Sequence, residues 1–516
     1  MKENKFLKNT LLLAFASIIS KMIGFLFKVP LTNMVGAKGI GLFNYSHTLY
    51  TIIISFFIAG VPIAMSKMIA ERIAQKKYDE AHRIFKLSFV SLFFVGILIG
   101  LLLITITDFF IGFIWPDETY FVLFGLGFAP FFVAMSSCFK GYFMGLQNTK
   151  APAIAQIVDA FGRLIFGLGL TYILLNKMNY LAVIGAAIGV TSGSLLGLIV
   201  YVIYYLIIRK SLYAGLIQEK LLSWKTSNWK LMKELLIYAM PISIGALAGS
   251  LIIFTDSFMV PKELALLGLD EGSITIQYGN LTSVWMVVNL PLAALIALSN
   301  NWMPKISELK IKKKSKELLS YFENSIIWTL YLVLPSIVGL YFLSEEIMIL
   351  IFPNILDSKQ LLEILSFSVG FMGVNQILVT TLQGLGEMKK PIRHLFIGTI
   401  FKVILNYILI GKLGVNGAAI ATVFSYGLIT ILNAKSVFSI IGYKRVKLSN
   451  YLIPLISSFI MYILIAVLKN IIMILDLGGN FSTVIIILIS GISYMGCMII
   501  ANKIAKLFFE KYNIKL

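Results

Sequence analysis

The chain has 516 residues, of which 59% are hydrophobic and only 13% charged, and its mean hydropathy is +0.90. A soluble domain carries about 25% charged residues, so a soluble enzyme is excluded: no water-facing fold hides this much apolar surface. The net charge of +20 raises nucleic acid as a partner, but the placement of the charges argues against it.

Apolar runs of 18 or more residues recur from Leu11 to Ile500, each long enough as a helix to cross a hydrocarbon core of about 30 Å. Membrane strands would read as short alternating segments, so the spans are helices. No small-residue cleavage site follows a short apolar core, so the first apolar segment is read as a span and not as a cleaved leader. Spans are predicted at 10–36, 45–66, 87–108, 120–139, 153–175, 181–208, 235–260, 279–303, 324–343, 362–385, 394–411, 415–434, 450–468 and 481–502. The expected fold is an all-α polytopic membrane protein of about fourteen transmembrane helices. Cys138 and Cys497 lie far apart in apolar segments and read as small packed residues, with no disulfide framework or CxxC metal pattern.

Charge counting tests this ladder. The two tails and the loops after even-numbered spans carry 34 of the 44 basic residues, and the opposite loops carry only Lys38, Lys177, Lys262, Lys359, Lys412 and Lys469. Lys21, Lys28, Arg163 and Lys402 fall within spans. Such a split places both termini in the cytoplasm. The basic excess is then a topology and lipid-headgroup signal, and no nucleic-acid partner is expected.

The chain also repeats itself. Gly145-Leu-Gln-Asn-Thr-Lys-Ala-Pro152 resembles Gly384-Leu-Gly-Glu-Met-Lys-Lys-Pro391 at an offset of 239, which also lays Arg163 on Lys402. Gly185-Ala-Ala-Ile188 matches Gly417-Ala-Ala-Ile420, and Ile63-Ala-Met-Ser66 matches Ile296-Ala-Leu-Ser299. The expected organisation is a first lobe over 1–210, a basic linker over 211–234, a second lobe over 235–437, and two appended spans with a tail over 438–516. Parallel repeats about an axis along the membrane normal put a substrate cavity between the lobes, near the midplane.

Polar residues deep in the spans are few. A basic residue at a span centre costs about 2.5–3.5 kcal/mol on insertion scales, so it faces a cavity or a partner. Lys21 and Lys28 are seven apart, on nearly one helix face and about 10 Å apart along the axis. They read as a cationic stripe for an anion, or, for Lys28, as a side chain snorkelling to the interface. Asp159 and Arg163 are spaced for an intrahelical pair, either structural or exchanging partners during transport. Asp256 needs a cation, and Lys402 is the candidate in its half, although the predicted depths differ by roughly 15 Å. Asn44, His47, Asn280, Asn289, Asn300 and Gln383 are further candidates to line a cavity, but each alone reads first as a packing hydrogen bond or a cap. His47 has no second His or carboxylate at i+3 or i+4 and is not read as a metal ligand. No Walker A motif or catalytic constellation is seen, so neither a catalytic residue nor a cofactor is expected. Four intramembrane cations against two carboxylates favour an anionic substrate.

The stretches Ser20-Lys-Met-Ile-Gly24, Lys28-Val-Pro30, Gly60-Val-Pro62-Ile-Ala-Met-Ser66 and the Gly145–Pro152 loop resemble the lipid II flippase family. This is the MurJ and stage V sporulation protein B group of the multidrug/oligosaccharidyl-lipid/polysaccharide exporter superfamily. The resemblance covers essentially the whole chain. It implies flipping of an undecaprenyl-diphosphate-linked peptidoglycan precursor to the outer leaflet of the bacterial cytoplasmic membrane. It maps the family's cationic first-span residues onto Ser20, Lys21 and Lys28, and likens the last two spans to a groove for the lipid tail. It also maps a sodium site of some members onto Asp256, Lys402, Asn406 and Thr422. There Lys402 departs from the pattern, and its tethered ammonium stands in place of an ion, so sodium is not expected.

The leading expectation is a lipid II flippase working by alternating access, with Lys21, Lys28 and Arg163 holding the diphosphate. A membrane potential or an ion gradient would drive it, and membrane lipids and cell-wall synthesis proteins would be its partners. The competitors are a flippase for another polyprenyl-linked oligosaccharide, a multidrug–cation antiporter on the same fold, and a membrane scaffold.

Overall fold

The computed structural model describes residues 2–111, 114–175, 179–217, 226–355, 358–442, 449–474 and 479–511. In chain order the helices are α1 (Lys2–Phe57), α2 (Val61–Ala74), α3 (Tyr78–Phe110), α4 (Thr119–Leu126), α5 (Ala129–Gly145) and α6 (Lys150–Gly162). A π-helical turn (Arg163–Gly167) leads into α7 (Leu168–Leu175), then α8 (Asn179–Ile217), α9 (Asn228–Leu266), α10 (Glu271–Ile311), α11 (Ser315–Phe342) and α12 (Ser344–Ile351). The last are α13 (Lys359–Gly384), α14 (Lys389–Leu413), α15 (Val415–Ile441), α16 (Ser449–Ile474) and α17 (Asn480–Lys511). Among the described residues the only β pairing is one isolated bridge, Ile111 to Trp115. The expected all-α membrane fold is the observed one.

Among the described residues, thirteen stretches are long and apolar enough to cross a membrane. The first, Phe15–Ala74, covers 60 residues, about 90 Å of helix at 1.5 Å per residue. That is far too long for one crossing of the hydrocarbon core, and the stretch is broken once within α1, so it holds two crossings, which makes fourteen among the described residues. Their division is Gly36, at φ 66° and ψ −175°, a conformation essentially reserved for glycine. A loop was expected between 36 and 45. Instead helix resumes at once, since no proline follows Gly36 before Pro62.

Helix ends also run past the predicted membrane limits. The basic connection after the second span is mostly helix, because α2 reaches Ala74 and α3 starts at Tyr78. Hydropathy marks where a side chain must leave lipid, not where the backbone stops being helical. The fourth predicted span is split around Gly127, with Pro130 opening α5, and the fifth is interrupted by the π-helical turn.

The chain forms two compact units, Met1–Gly279 and Asn280–Leu516. This boundary falls inside α10, whereas the sequence repeat divides at the linker 211–234. The cause is α9, which packs within the first unit along its length. Gly60 N donates to Ser243 Oγ (3.0 Å), the Ser55 and Ser250 hydroxyls are 2.8 Å apart, and Trp115 Nε1 donates to the Ser257 carbonyl (2.7 Å). Ser243, Ser250 and Ser257 recur every seven residues and so share one helix face. Interhelical hydrogen bonds contribute about 0.6 kcal/mol each in a membrane, so close packing does most of the holding. Gly60 supplies it, lying against the backbone carbonyl of Ala239 on α9.

Paired positions of the sequence repeat pack alike within their own units. A Cβ on Gly145 would meet Ile69 Cβ at 2.7 Å and the Ser66 carbonyl oxygen at 3.1 Å. On Gly384, 239 residues later, it would meet Ile306 Cβ and the Met303 carbonyl oxygen, both at 3.0 Å.

Candidate functional site

The first limb of α1 shows two different exposed faces. Phe15, Ile18, Met22 and Leu26 are apolar and exposed; at about 100° per residue they form one stripe. Ala16, Ile23, Phe27 and Leu31 are buried on a second face. Between the two lie Ser17, Lys21, Gly24 and Lys28. Lys21 is exposed and Lys28 partly so, and a Cβ on Gly24 would meet nothing within 4 Å. An open face carrying two ammonium groups is poorly suited to lipid tails, so the open face beside Gly24 is a polar one. Ser20, next to Lys21, turns the other way and donates to the Gln156 carbonyl on α6 (3.1 Å).

The cations of the first unit converge deeper along this contact. Arg163 donates to both carboxylate oxygens of Asp159, from Nε at 3.0 Å and from Nη2 at 2.8 Å. The predicted pair is therefore an intrahelical fork. Lys28 lies in the field of Arg163 and makes no ion pair of its own among the described residues. His47, from the second limb of α1, lies in the field of both Lys28 and Arg163. It is stacked on Phe43 at 5.3 Å and tilted against Tyr50 at 5.8 Å. Tyr50 in turn lies in the field of Arg163 and Asp159 and shares a hydrogen bond with Ser194 of α8. His47 was noted from the sequence only as one of several polar residues in the spans, and Tyr50 and Ser194 were not singled out, because no local spacing connects them to Lys28 or Arg163.

Small residues make this convergence possible. Gly185, Gly189, Gly193 and Gly197 recur every fourth residue on α8, a ridge that lets helices approach closely. Gly193 and Gly197 lie beneath Asp159, Gly189 against Gly167, and Gly185 against Thr171. The π-helical turn begins at Arg163 itself. Such turns insert a residue into an α-helix and concentrate at functional positions.

The second unit lacks the carboxylate. Lys402 and Asn406 are one turn apart on α14 and fully buried, at 1% and 0% exposure. The residue one turn before Lys402, matching Asp159, is Gly398, which packs against Ile429 and the Ser425 carbonyl. Ser425 and Ile429 match Gly193 and Gly197 at the offset of 232 that pairs Gly185 with Gly417. Bulk and glycine have changed helices, a swap that conserves volume and removes the acid. Thr422 is buried and bonds back to the Ala418 carbonyl (2.9 Å). Asp256 is buried on α9 in the first unit, while Lys402, Asn406 and Thr422 belong to the second.

Of the remaining polar candidates, Asn44 and Asn280 are buried and Gln383 is half-buried. The Asn289 amide folds back onto the Trp285 carbonyl (2.6 Å), and the Asn300 side chain lies outside the described residues. One buried network was not foreseen: His394 Nδ1 meets Asn433 Oδ1 at 2.8 Å, and Asn433 Nδ2 donates to Asn375 Oδ1 at 2.8 Å.

Two family models match the chain: "Polysaccharide biosynthesis protein" over residues 6–310 and "Lipid II flippase MurJ" over residues 169–474. Stage V sporulation protein B of Bacillus subtilis (strain 168) is 25% identical over 462 residues, 87% of each chain. Lipid II flippase MurJ of the same organism is 25% identical over 441 residues, 82% of this chain and 81% of the relative. A solved structure of lipid II flippase MurJ in an inward closed conformation superposes with a TM-score of 0.70 at 17% identity, covering 97% of this chain and 99% of the other.

Proposed function

Because the chain belongs to the lipid II flippase MurJ family, multi-pass membrane transporters and not enzymes, we propose that it flips a polyprenyl-diphosphate-linked precursor of peptidoglycan, lipid II, across the bacterial cytoplasmic membrane. The observation that carries this reading is the convergence of Lys28, Arg163 and His47 beside the open face of α1. A diphosphate is recognised by charge-assisted hydrogen bonds from such groups. Arg163 offers the guanidinium donors that Asp159 does not take, Lys28 a point charge and His47 a further hydrogen-bonding nitrogen. Lys21 extends the cationic face along the path, Ser20 ties α1 to α6, and Asp159 orients the Arg163 guanidinium.

The basic face of the bundle lies in the cytoplasm, with both termini. Substrate enters there and passes between two lobes by alternating access, with Asp256 and Lys402 biasing the closing of the second lobe. Lys402 supplies a tethered cation beside Asn406 and Thr422, so no sodium is needed there. Membrane potential or an ion gradient drives the cycle.

A second reading, a flippase for a different polyprenyl-linked oligosaccharide, draws support from the match of residues 6–310 to polysaccharide biosynthesis proteins. Complementation separates the two. The chain and its Lys21→Ala and Lys28→Ala variants are expressed in bacteria depleted of their own lipid II flippase, with membrane levels measured. Rescue by the wild type and loss in equally inserted variants is expected. A well-inserted wild type that does not rescue favours the second reading, and equal rescue by all three removes the lysines from the site.

A further inference from the structure

At the basic-face end of α9 the first unit carries a compact charged network. Arg72, at the end of α2, reaches Glu80 of α3 with Nε at 2.9 Å and Glu234 of α9 with Nη2 at 2.7 Å. The Glu80 side chain is 2% exposed and that of Arg72 13%. Glu80 also takes a short hydrogen bond from the Thr226 hydroxyl. Arg83 donates to the Thr226 carbonyl (2.9 Å) and to Asn228 Oδ1 (2.5 Å), tying the chain just before α9 to α3. One turn deeper, the Lys67 ammonium sits 3.7 Å over the ring of Tyr238.

The opposite end of the same seam has a different chemistry. There Trp115 Nε1 donates to the Ser257 carbonyl of α9 (2.7 Å), Trp115 stacks on Tyr45 of α1 at 5.6 Å, Tyr45 stacks on Tyr278 of α10 at 4.3 Å, and all three rings are buried. Parting that end would bare aromatic surface and glycine-packed backbone. Parting the charged end returns ions to water, which offsets much of what their contacts contribute.

We propose that Arg72, Glu80 and Glu234 form an ionic latch holding the basic-face end of α9 against α2 and α3, and that the seam opens from this end while the aromatic end stays closed. The inference rests on the alternating-access reading and adds which end yields and what holds it. In that cycle the latch parts as the basic-face end of the seam opens.

The test uses the full-length chain in nanodiscs, carrying Cys497→Ser, with the fully buried Cys138 retained. One pair of spin labels is placed at Gln75 and Lys230 for the latch end, and a second at Tyr120 and Leu266 for the aromatic end; all four residues are exposed. Distances are read by pulsed electron resonance. Glu234→Gln, at the more exposed end of the network, is expected to move the main latch-end population to longer separation and leave the aromatic-end population in place. Arg72→Gln gives the same shift, more strongly, and serves as the second variant. Unchanged latch-end distances in both folded variants would overturn the proposal, as would lengthening of the aromatic-end distance instead. The readout needs no substrate. A latch that opens in a chain that carries no lipid-linked diphosphate supports the latch and removes the transport reading.

Discussion

Gly193 lies so close beneath Arg163 that a Cβ there would stand 2.5 Å from the arginine Cγ and 2.8 Å from Asp159 Oδ1. Gly193→Ala must therefore push the Asp159–Arg163 fork off α8. Overpacking of this kind costs about 1–3 kcal/mol. Rescue of flippase-depleted cells is expected to be lost, with a lower thermal midpoint of the purified protein. Gly24→Ala is the contrast: its Cβ meets nothing, so it should keep its stability or gain up to about 1 kcal/mol of helix propensity.

Lys28 and Arg163 are expected to dominate anion affinity. A hydrogen bond to a charged group contributes about 1.5–3 kcal/mol, so Lys28→Gln should weaken binding of undecaprenyl diphosphate roughly tenfold to a hundredfold. Asp159→Asn frees the fork of Arg163 and should tighten binding while slowing turnover. Native mass spectrometry of the purified variants reads the affinity. Equal affinity in wild type and Asp159→Asn would show that the carboxylate does not compete for Arg163.

The turn at Gly36 tests the division of α1. Its backbone conformation is one that side chains rarely adopt, at a cost of about 1–3 kcal/mol. Gly36→Ala should lower the thermal midpoint, whereas Gly249→Ala, in open space within helical α9, should not. Equal midpoints would mean that α1 can bend elsewhere.

Glu308, on the extension of α10 beyond its membrane span, accepts hydrogen bonds from Lys312 (2.6 Å) and Lys305 (3.1 Å). These two ammonium groups hold its carboxyl down to about 2. A depressed carboxyl contributes stability that is fully present above its ordinary range and is lost as pH falls through the folded value. The extension should therefore keep its ion pairs from pH 7 to about 4 and lose them near 2. Side-chain carbon resonances of labelled glutamate, with Glu308→Gln for assignment, report the midpoint. A midpoint near the ordinary glutamate value would mean that the lysines do not hold it.

Composition and periodicity decided a great deal. The apolar runs determined an all-helical membrane chain and its number of crossings, because lipid leaves the backbone no other way to satisfy its hydrogen bonds. The Asp159–Arg163 pair was legible for a similar reason, since a spacing of four on one helix is local geometry. The seven-residue serine stripe of α9 and the glycine ridge of α8 also stood in the sequence, but a stripe does not say which helix will cover it.

Tertiary structure alone decided the rest. His47 comes into the field of Lys28 and Arg163 only because Gly36 breaks α1 into two limbs and the glycines of α8 let the π-helical turn approach. His394, Asn433 and Asn375 sit on three helices, and Arg72 finds Glu234 across 162 residues of chain. A contact of that range depends on helix ends, tilts and close packing, which hydropathy does not encode. It places a helix in the membrane but leaves open which of its faces will meet which neighbour.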